Sequence, residues 1–181
     1  MRVPSSLGQV IRTVAPDEAA LVAAVGELTV GAFVADGFLS ADDGYAEHLR
    51  NADARAREAV LAVALSAGGG SGTGSGEDHL LGTVTYCRHG ELWSEVADPG
   101  ESEFRMLAVA PSARGLGVGG ALASWCLDRA RADRAYAVVL SSLVEMTGAH
   151  RIYSRLGFVR TPDKDWWPEP ATRLITFRLE L

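Results

Sequence analysis

A chain of 181 residues, 48% of them apolar, is long enough for one compact core and too apolar for a disordered tail protein. Its formal charge of −6, with no basic block, excludes a tracker of phosphate backbones, so nucleic acid is not an expected partner. The acidic balance favours a cationic small molecule or a basic peptide instead.

Residues 9–14 predict a first strand ended by Ala15-Pro16, and the N-terminal stretch MRVPSSLGQVIRTV carries no long apolar run. No stretch reaches spanning length, so the expected compartment is the cytoplasm, with no membrane as partner. Asp17 is placed as the cap of a helix through DEAALVAAVGELTVGAF, where Leu21, Val22, Val25 and Leu28 recur at helical spacing. A second helix covers 43–58, with Tyr45, Leu49, Ala52 and Ala56 on one side. The run AVLAVAL reads as a strand and LLGTVTYCR as its return, with AGGGSGTGSGED between them as a flexible hairpin tip at about 67–78. Cys87 and Cys126 lie far apart with no histidine at metal-ligand spacing. They read as buried thiols of a reducing compartment, and no metal is expected.

The second half is more sharply patterned. EFRMLAVA, 103–110, is a strand stopped by Pro111, and a helix follows Arg114 to about residue 133, with Leu122, Trp125, Cys126 and Arg129 at helical spacing. AYAVVLSSLV is the most apolar strand and is expected to be central. A short helix places Ala149, Ile152, Tyr153 and Leu156 on one face, Gly157 stands at its left-handed C-cap, and Phe158 opens the next strand. TPDKDWWPEP is a loop before the closing strand ATRLITFRLEL. The expected architecture is α/β (α+β): one domain over 1–181, with a mixed, strongly twisted sheet of six or seven strands and helices on both faces.

The informative stretch is LAVAPSARGLGVGGAL, 107–122, in which a strand delivers the chain to a glycine-rich turn that opens a helix. The free N–H groups of the first helical turn and the positive end of the helix dipole then face one spot. Gly115, Gly117, Gly119 and Gly120 keep side chains out of the way of a diphosphate, and Arg114 adds positive charge at the mouth. The same glycines satisfy G-x-G-x-x-G. A dinucleotide site, however, needs the strand directly before them and an acid some twenty residues on, where this chain has Leu140 and Ser141. The Gly-Lys-Ser/Thr of a nucleotide P-loop is absent. A third reading is a helix start that merely packs tightly.

Arg114-x-x-Gly117-x-Gly119 resembles the Q/R-x-x-G-x-G/A signature of the GNAT superfamily of N-acetyltransferases. It lies within E-x-x-x-L-A-V-x-P before it and A-x-x-x-Y-x-x-x-G-F after it, at Ala149, Tyr153, Gly157 and Phe158. The likeness is specific from Glu103 to Val159 and only topological in the first hundred residues. It implies a GNAT-like fold and acetyl-CoA as co-substrate, with two parallel strands splayed around the pantetheine arm. Leu107, Ala108 and Val109 would pair their backbone with that arm, an amide near Val109 would face the thioester oxygen, and the amides from Gly115 through Leu116, Gly117, Val118 and Gly119 to Gly120 would hold the pyrophosphate.

The reaction so implied is attack of a neutral amine on the thioester. Glu103 is the expected base, with Glu95, Glu101 and Glu145 as other carboxylates of the same cleft, and Tyr153 is the expected proton donor to the leaving thiolate. Met146 stands where the family often has an asparagine, so contact with the cofactor there is expected to be apolar. His150 and Arg151 are expected to be exposed helix residues, and His48, His79 and His89 receive no role. Trp166 and Trp167 either wall the amine pocket or plug the end of the sheet. The acceptor is left as a small-molecule or peptide amine, a homodimer is admitted by the resemblance, and a silent acyl-CoA-binding sensor is the alternative to a live enzyme.

Overall fold

The computed structural model describes residues 3–4, 8–40, 44–66 and 79–181. The hairpin tip expected at 67–78 lies outside them. Among the described residues nine strands form one sheet: β1 (Val3–Pro4), β2 (Gln9–Thr13), β3 (Val60–Ser66), β4 (Leu80–Arg88), β5 (Glu101–Val109), β6 (Ala137–Leu143), β7 (Val159–Arg160), β8 (Trp166–Glu169) and β9 (Thr172–Glu180). The order is β1-β2-β3-β4-β5-β6-β9-β7, with β8 also pairing β9, and only β5 and β6 run parallel. The sheet is therefore mixed, as the sequence indicates. The two strands beyond those expected are β1, of two residues, and β8, which lies in the stretch read as a loop. Its Trp-Trp-Pro-Glu run pairs only with β9, an edge position that tolerates the missing N–H of Pro168.

Alternation along β3 shows why helices cover both faces. Leu61, Val63 and Leu65 join one core, with Val22, Val25 and Ala56, whereas Ala62 and Ala64 join the other, with Leu122, Cys126 and Phe104. The helices α1 (Ala19–Ala35), α2 (Gly44–Arg50) and α3 (Ala52–Glu58) cover the first face, and α4 (Val118–Ala132) and α5 (Thr147–Leu156) the second. Both cysteines are buried free thiols. Among the described residues no helix is long and apolar enough to cross a membrane.

Two local expectations are corrected. The cap position of α1 falls on Glu18 rather than Asp17, and the Glu18 carboxylate turns back to Arg12 at 2.6 Å and to the Ala15 amide at 2.8 Å instead of capping the helix. The helix expected over 43–58 is two, because the Asn51 side chain accepts the Ala54 amide at 3.2 Å and starts a new helix. Arg55 of α3 is completely buried and ties the three helices to the sheet, donating to the Leu49 carbonyl at 2.8 Å, Thr85 Oγ1 at 3.2 Å and Thr29 Oγ1 at 3.4 Å. Burial without a carboxylate partner brings its pKa down to about 10.

The end of α5 follows its sequence closely. Gly157 sits at φ 94°, its amide reaches the Ser154 carbonyl at 3.1 Å, and the Phe158 amide reaches Tyr153 O at 3.0 Å. This reversal satisfies the last carbonyls and drops Phe158 into the core beside Tyr153.

Candidate active site

The site begins where two strands stop pairing. β5 and β6 share the pairs Glu101↔Ala137, Ser102↔Val138 and Glu103↔Val139, and none beyond. From Phe104 onward β5 has no ladder partner on that side, and neither has β6 from Leu140. The cause lies on the opposite edge of β5, where the register against β4 shifts between Thr83↔Ala108 and Thr85↔Arg105. Met106 absorbs the extra residue at φ 50°, a left-handed conformation that a non-glycine residue adopts only under constraint. The bulge turns β5 away from β6 and opens the sheet at its centre.

A cavity of about 210 Å³ occupies this opening. Met106 and Leu107 of β5, Ser141, Ser142 and Leu143 of β6, and Tyr153 of α5 are among its lining. Tyr153 is held by the rings of Phe177 at 5.7 Å, Phe104 at 5.9 Å and Phe158 at 6.0 Å. Burial raises its pKa, so the phenol keeps its proton throughout the ordinary pH range. Met146 also lines the cavity, as an apolar contact. His150 is not simply exposed: its Nε2 lies 3.1 Å from both Ser142 Oγ and the Leu143 carbonyl, which ties α5 to the end of β6.

Beyond β5 the chain passes through a 3-10 turn, Pro111–Ala113, into the glycine-rich start of α4. Gly115 and Gly117 have φ of 77° and 78°, a region that excludes most side chains. The first bond of α4 runs from the Ala121 amide to the Gly117 carbonyl at 3.0 Å, so the amides of Val118, Gly119 and Gly120 have no helical acceptor. The Leu116 amide, by contrast, approaches the Ala113 carbonyl at 3.4 Å. The glycines divide by role. A Cβ on Gly120 would meet open space, whereas one on Gly119 would meet Ile152 Cδ1 at 3.0 Å, so Gly119 serves the packing of α4 against α5. Arg114 does not stand as a free charge at the mouth. Its guanidinium pairs with Asp36 at 2.7 Å and donates to the Ala32 carbonyl at 3.3 Å at the end of α1.

Glu103 requires a correction. It is completely buried and does not line the cavity. Its Oε2 accepts the amides of Glu95 at 2.8 Å, Val96 at 2.9 Å and Ala97 at 3.3 Å, and the Ser94 hydroxyl at 3.3 Å. Burial pushes its pKa up, against the pull of the Val96 amide and Arg105. Glu103 shares a side of β5 with Arg105, and it is the loop of residues 94–97, closed over Oε2, that keeps this carboxylate out of the opening. Glu101 is likewise committed, to Arg178 at 2.7 Å and the Asp98 amide at 2.9 Å. Of the four carboxylates weighed, Glu95 alone lines the cavity.

Glu95 brings with it a group whose members share no spacing that a sequence could reveal. Arg105 pairs with it at 2.7 Å and donates to the Trp93 carbonyl at 3.1 Å. His48 packs between Tyr45 and Trp93, with ring centroids 5.3 and 5.1 Å away, and lines the cavity with Tyr45. Burial, aided by Arg105, lowers the pKa of His48 and keeps the imidazole neutral. The two tryptophans part company: Trp166 lines the cavity, whereas Trp167 points outward beneath the Arg173 guanidinium, 5.5 Å from its ring.

The sheet order, the parted parallel pair and the glycine-rich helix start together define an acetyltransferase fold. The chain belongs to the acetyltransferase (GNAT) family, whose profile matches residues 41–158. The fold is shared with yncA of Salmonella typhimurium, solved with its cofactor acetyl-CoA; the two are 20% identical, with a TM-score of 0.64 over 96% of this chain and 94% of that one. A GNAT-family protein of Desulfovibrio desulfuricans is 19% identical, with a TM-score of 0.67 over 95% and 98% of the two chains. A ribosomal-protein-alanine N-acetyltransferase of Brucella melitensis is 16% identical, with a TM-score of 0.59 over 94% and 99%. No curated protein matches the chain.

Proposed function

We propose that this chain transfers the acetyl group of acetyl-CoA to a primary amine by direct attack, as a single domain over 1–181. The observation that carries this reading is the parting of β5 and β6 after three register pairs, with Tyr153 facing the gap. The pantetheine arm lies along the unpaired edge at Leu107, Ala108 and Val109. The pyrophosphate rests against Gly115, Gly117, Val118, Gly119 and Gly120, with Leu116 covering it and Arg114 holding the turn to α1.

The amine nitrogen attacks the thioester carbon, its lone pair forming the C–N bond while the carbonyl electrons move to oxygen. An amide near Val109 stabilises that oxygen. The C–S bond then breaks, and Tyr153 gives its proton to the departing sulfur. The proton shed by the amine goes to Glu95, directly or through water, which moves the role of base from Glu103 to Glu95. Such a base is needed most for a lysine-like amine, whose deprotonation at neutral pH costs ~4–5 kcal/mol, against ~1 kcal/mol for an α-amino group.

Calorimetry with acetyl-CoA and a thiol-release assay over a panel of amines test the proposal. Binding followed by release with at least one amine is the expected result. Binding without turnover on any amine identifies a sensor, and absence of binding removes the reading.

A further inference from the structure

The part of the lining outside β5, β6 and Tyr153 carries its own information. Resting on the acetyl-transfer reading, we infer that this part takes a small primary amine on an apolar or aromatic body, with no carboxylate beside the nitrogen.

Its walls come from three directions: Phe33 and Phe38 at the end of α1, Tyr45 and His48 on α2, and Trp166 and Leu174 on the β8–β9 hairpin. Aromatic faces suit an apolar body and attract an ammonium group. The charged lining residues are Glu95, Glu169 and Arg105. Arg105 is already spent, with Nη2 on Glu95 at 2.7 Å, Nη1 on the Trp93 carbonyl at 3.1 Å and Nε facing Glu103 at 3.8 Å. It also faces the Tyr45 phenol. No other lysine or arginine lines the cavity among the described residues, and His48 is neutral. A cationic amine entering here meets Glu169 and the second oxygen of Glu95, whereas a substrate carboxylate finds no uncommitted cation and the unpaired charge of Glu169. A cavity of about 210 Å³ suits a compact acceptor beside the acetyl end of the donor.

The test pairs 2-phenylethylamine with L-phenylalanine, which differ by the carboxylate alone, and adds an alanyl tripeptide, all assayed by thiol release from acetyl-CoA. The expected kcat/KM for phenylethylamine exceeds that for phenylalanine by at least about a hundredfold. In Glu95→Gln, Arg105 loses its carboxylate partner, and the ratio between the two substrates contracts about tenfold or more even as both rates fall. An equal or reversed preference in the unaltered protein, turnover confined to the peptide, or an unchanged ratio in Glu95→Gln overturns this inference while leaving acetyl transfer standing. Calorimetry with phenylethylamine in the presence of CoA separates the two claims: tight binding without turnover of any amine sustains the acceptor class and overturns the transfer reading.

Discussion

Glu103 Oε2 accepts the main-chain amide of Glu95 at 2.8 Å, so a buried carboxylate on β5 fixes the residue whose own carboxylate reaches the cavity. Replacing Glu103 with alanine leaves the amides of residues 95–97 without that acceptor, at an expected cost of about 2–3 kcal/mol in stability. The acceptor KM should rise while acetyl-CoA affinity holds. Glu95→Gln should cost only about 1 kcal/mol in stability, because the carboxylate is partly exposed, yet lower kcat more than tenfold. Thermal melts set beside kinetics distinguish the two variants. A Glu103→Ala protein with intact stability and lost kcat would restore Glu103 as the base.

Tyr153→Phe keeps the ring among Phe104, Phe158 and Phe177 and removes only the hydroxyl. Turnover should fall about a hundredfold with little change in acetyl-CoA affinity or melting temperature. Because burial raises the Tyr153 pKa, loss of its proton contributes no descending limb near pH 10, where an ordinary tyrosine would titrate. A pH–rate profile to pH 10 checks this.

The glycines of the α4 start should respond differently to substitution. Gly120→Asp fits into open space and sets a negative charge at the proposed pyrophosphate position, so acetyl-CoA affinity should drop more than tenfold with the fold retained. Gly119→Val pushes against Ile152, Val109 and Leu107, and its expected effect is a stability loss of about 1–3 kcal/mol. Unchanged affinity in Gly120→Asp would count against the phosphate position.

Asp165 orders the hairpin that carries Trp166. Its side chain is 2% exposed and pairs with Arg160 at 2.9 Å and Arg173 at 2.8 Å, while its Oδ1 accepts the Thr176 amide at 2.9 Å. Burial alone would raise its pKa, but the Arg160 hydrogen bonds, the Thr176 amide and Arg173 bring it down to about 2. A carboxylate held below its unfolded value stabilises the fold at neutral pH and loses that contribution as pH falls from about 4 to about 2, here about 2 kcal/mol. Asp165→Asn should therefore melt lower at pH 7 and show a flatter loss of stability on acidification, read by denaturant titration across pH.

The strand, turn and helix start proposed to hold the donor were legible in the sequence because contiguous residues dictate them. Four glycines in six positions, a tyrosine four residues before Gly157 and a proline ending β5 each constrain the backbone locally. The lining proposed for the acceptor was not legible, because its residues meet only through tertiary placement. His48 and Arg105 lie on different elements, and Glu95 reaches the cavity from a loop whose path depends on Glu103. Glu103 shows the limit from the other direction: a strand-end acid looks the same in sequence whether it faces an opening or is capped by the amides of a neighbouring loop. β8 escaped notice because prolines on both sides of a tryptophan pair read as irregular chain, while an edge strand bonded on one side accepts them.

Three rungs between β5 and β6 also make the middle of the sheet a seam. An extended arm laid along the seam would act as a splint, lending hydrogen bonds that the polypeptide withholds, so the protein's rigidity would track its donor supply. Amides on the facing edges of 104–109 and 140–143 would then slow their exchange with solvent together when the donor arrives, and loosen together when it leaves.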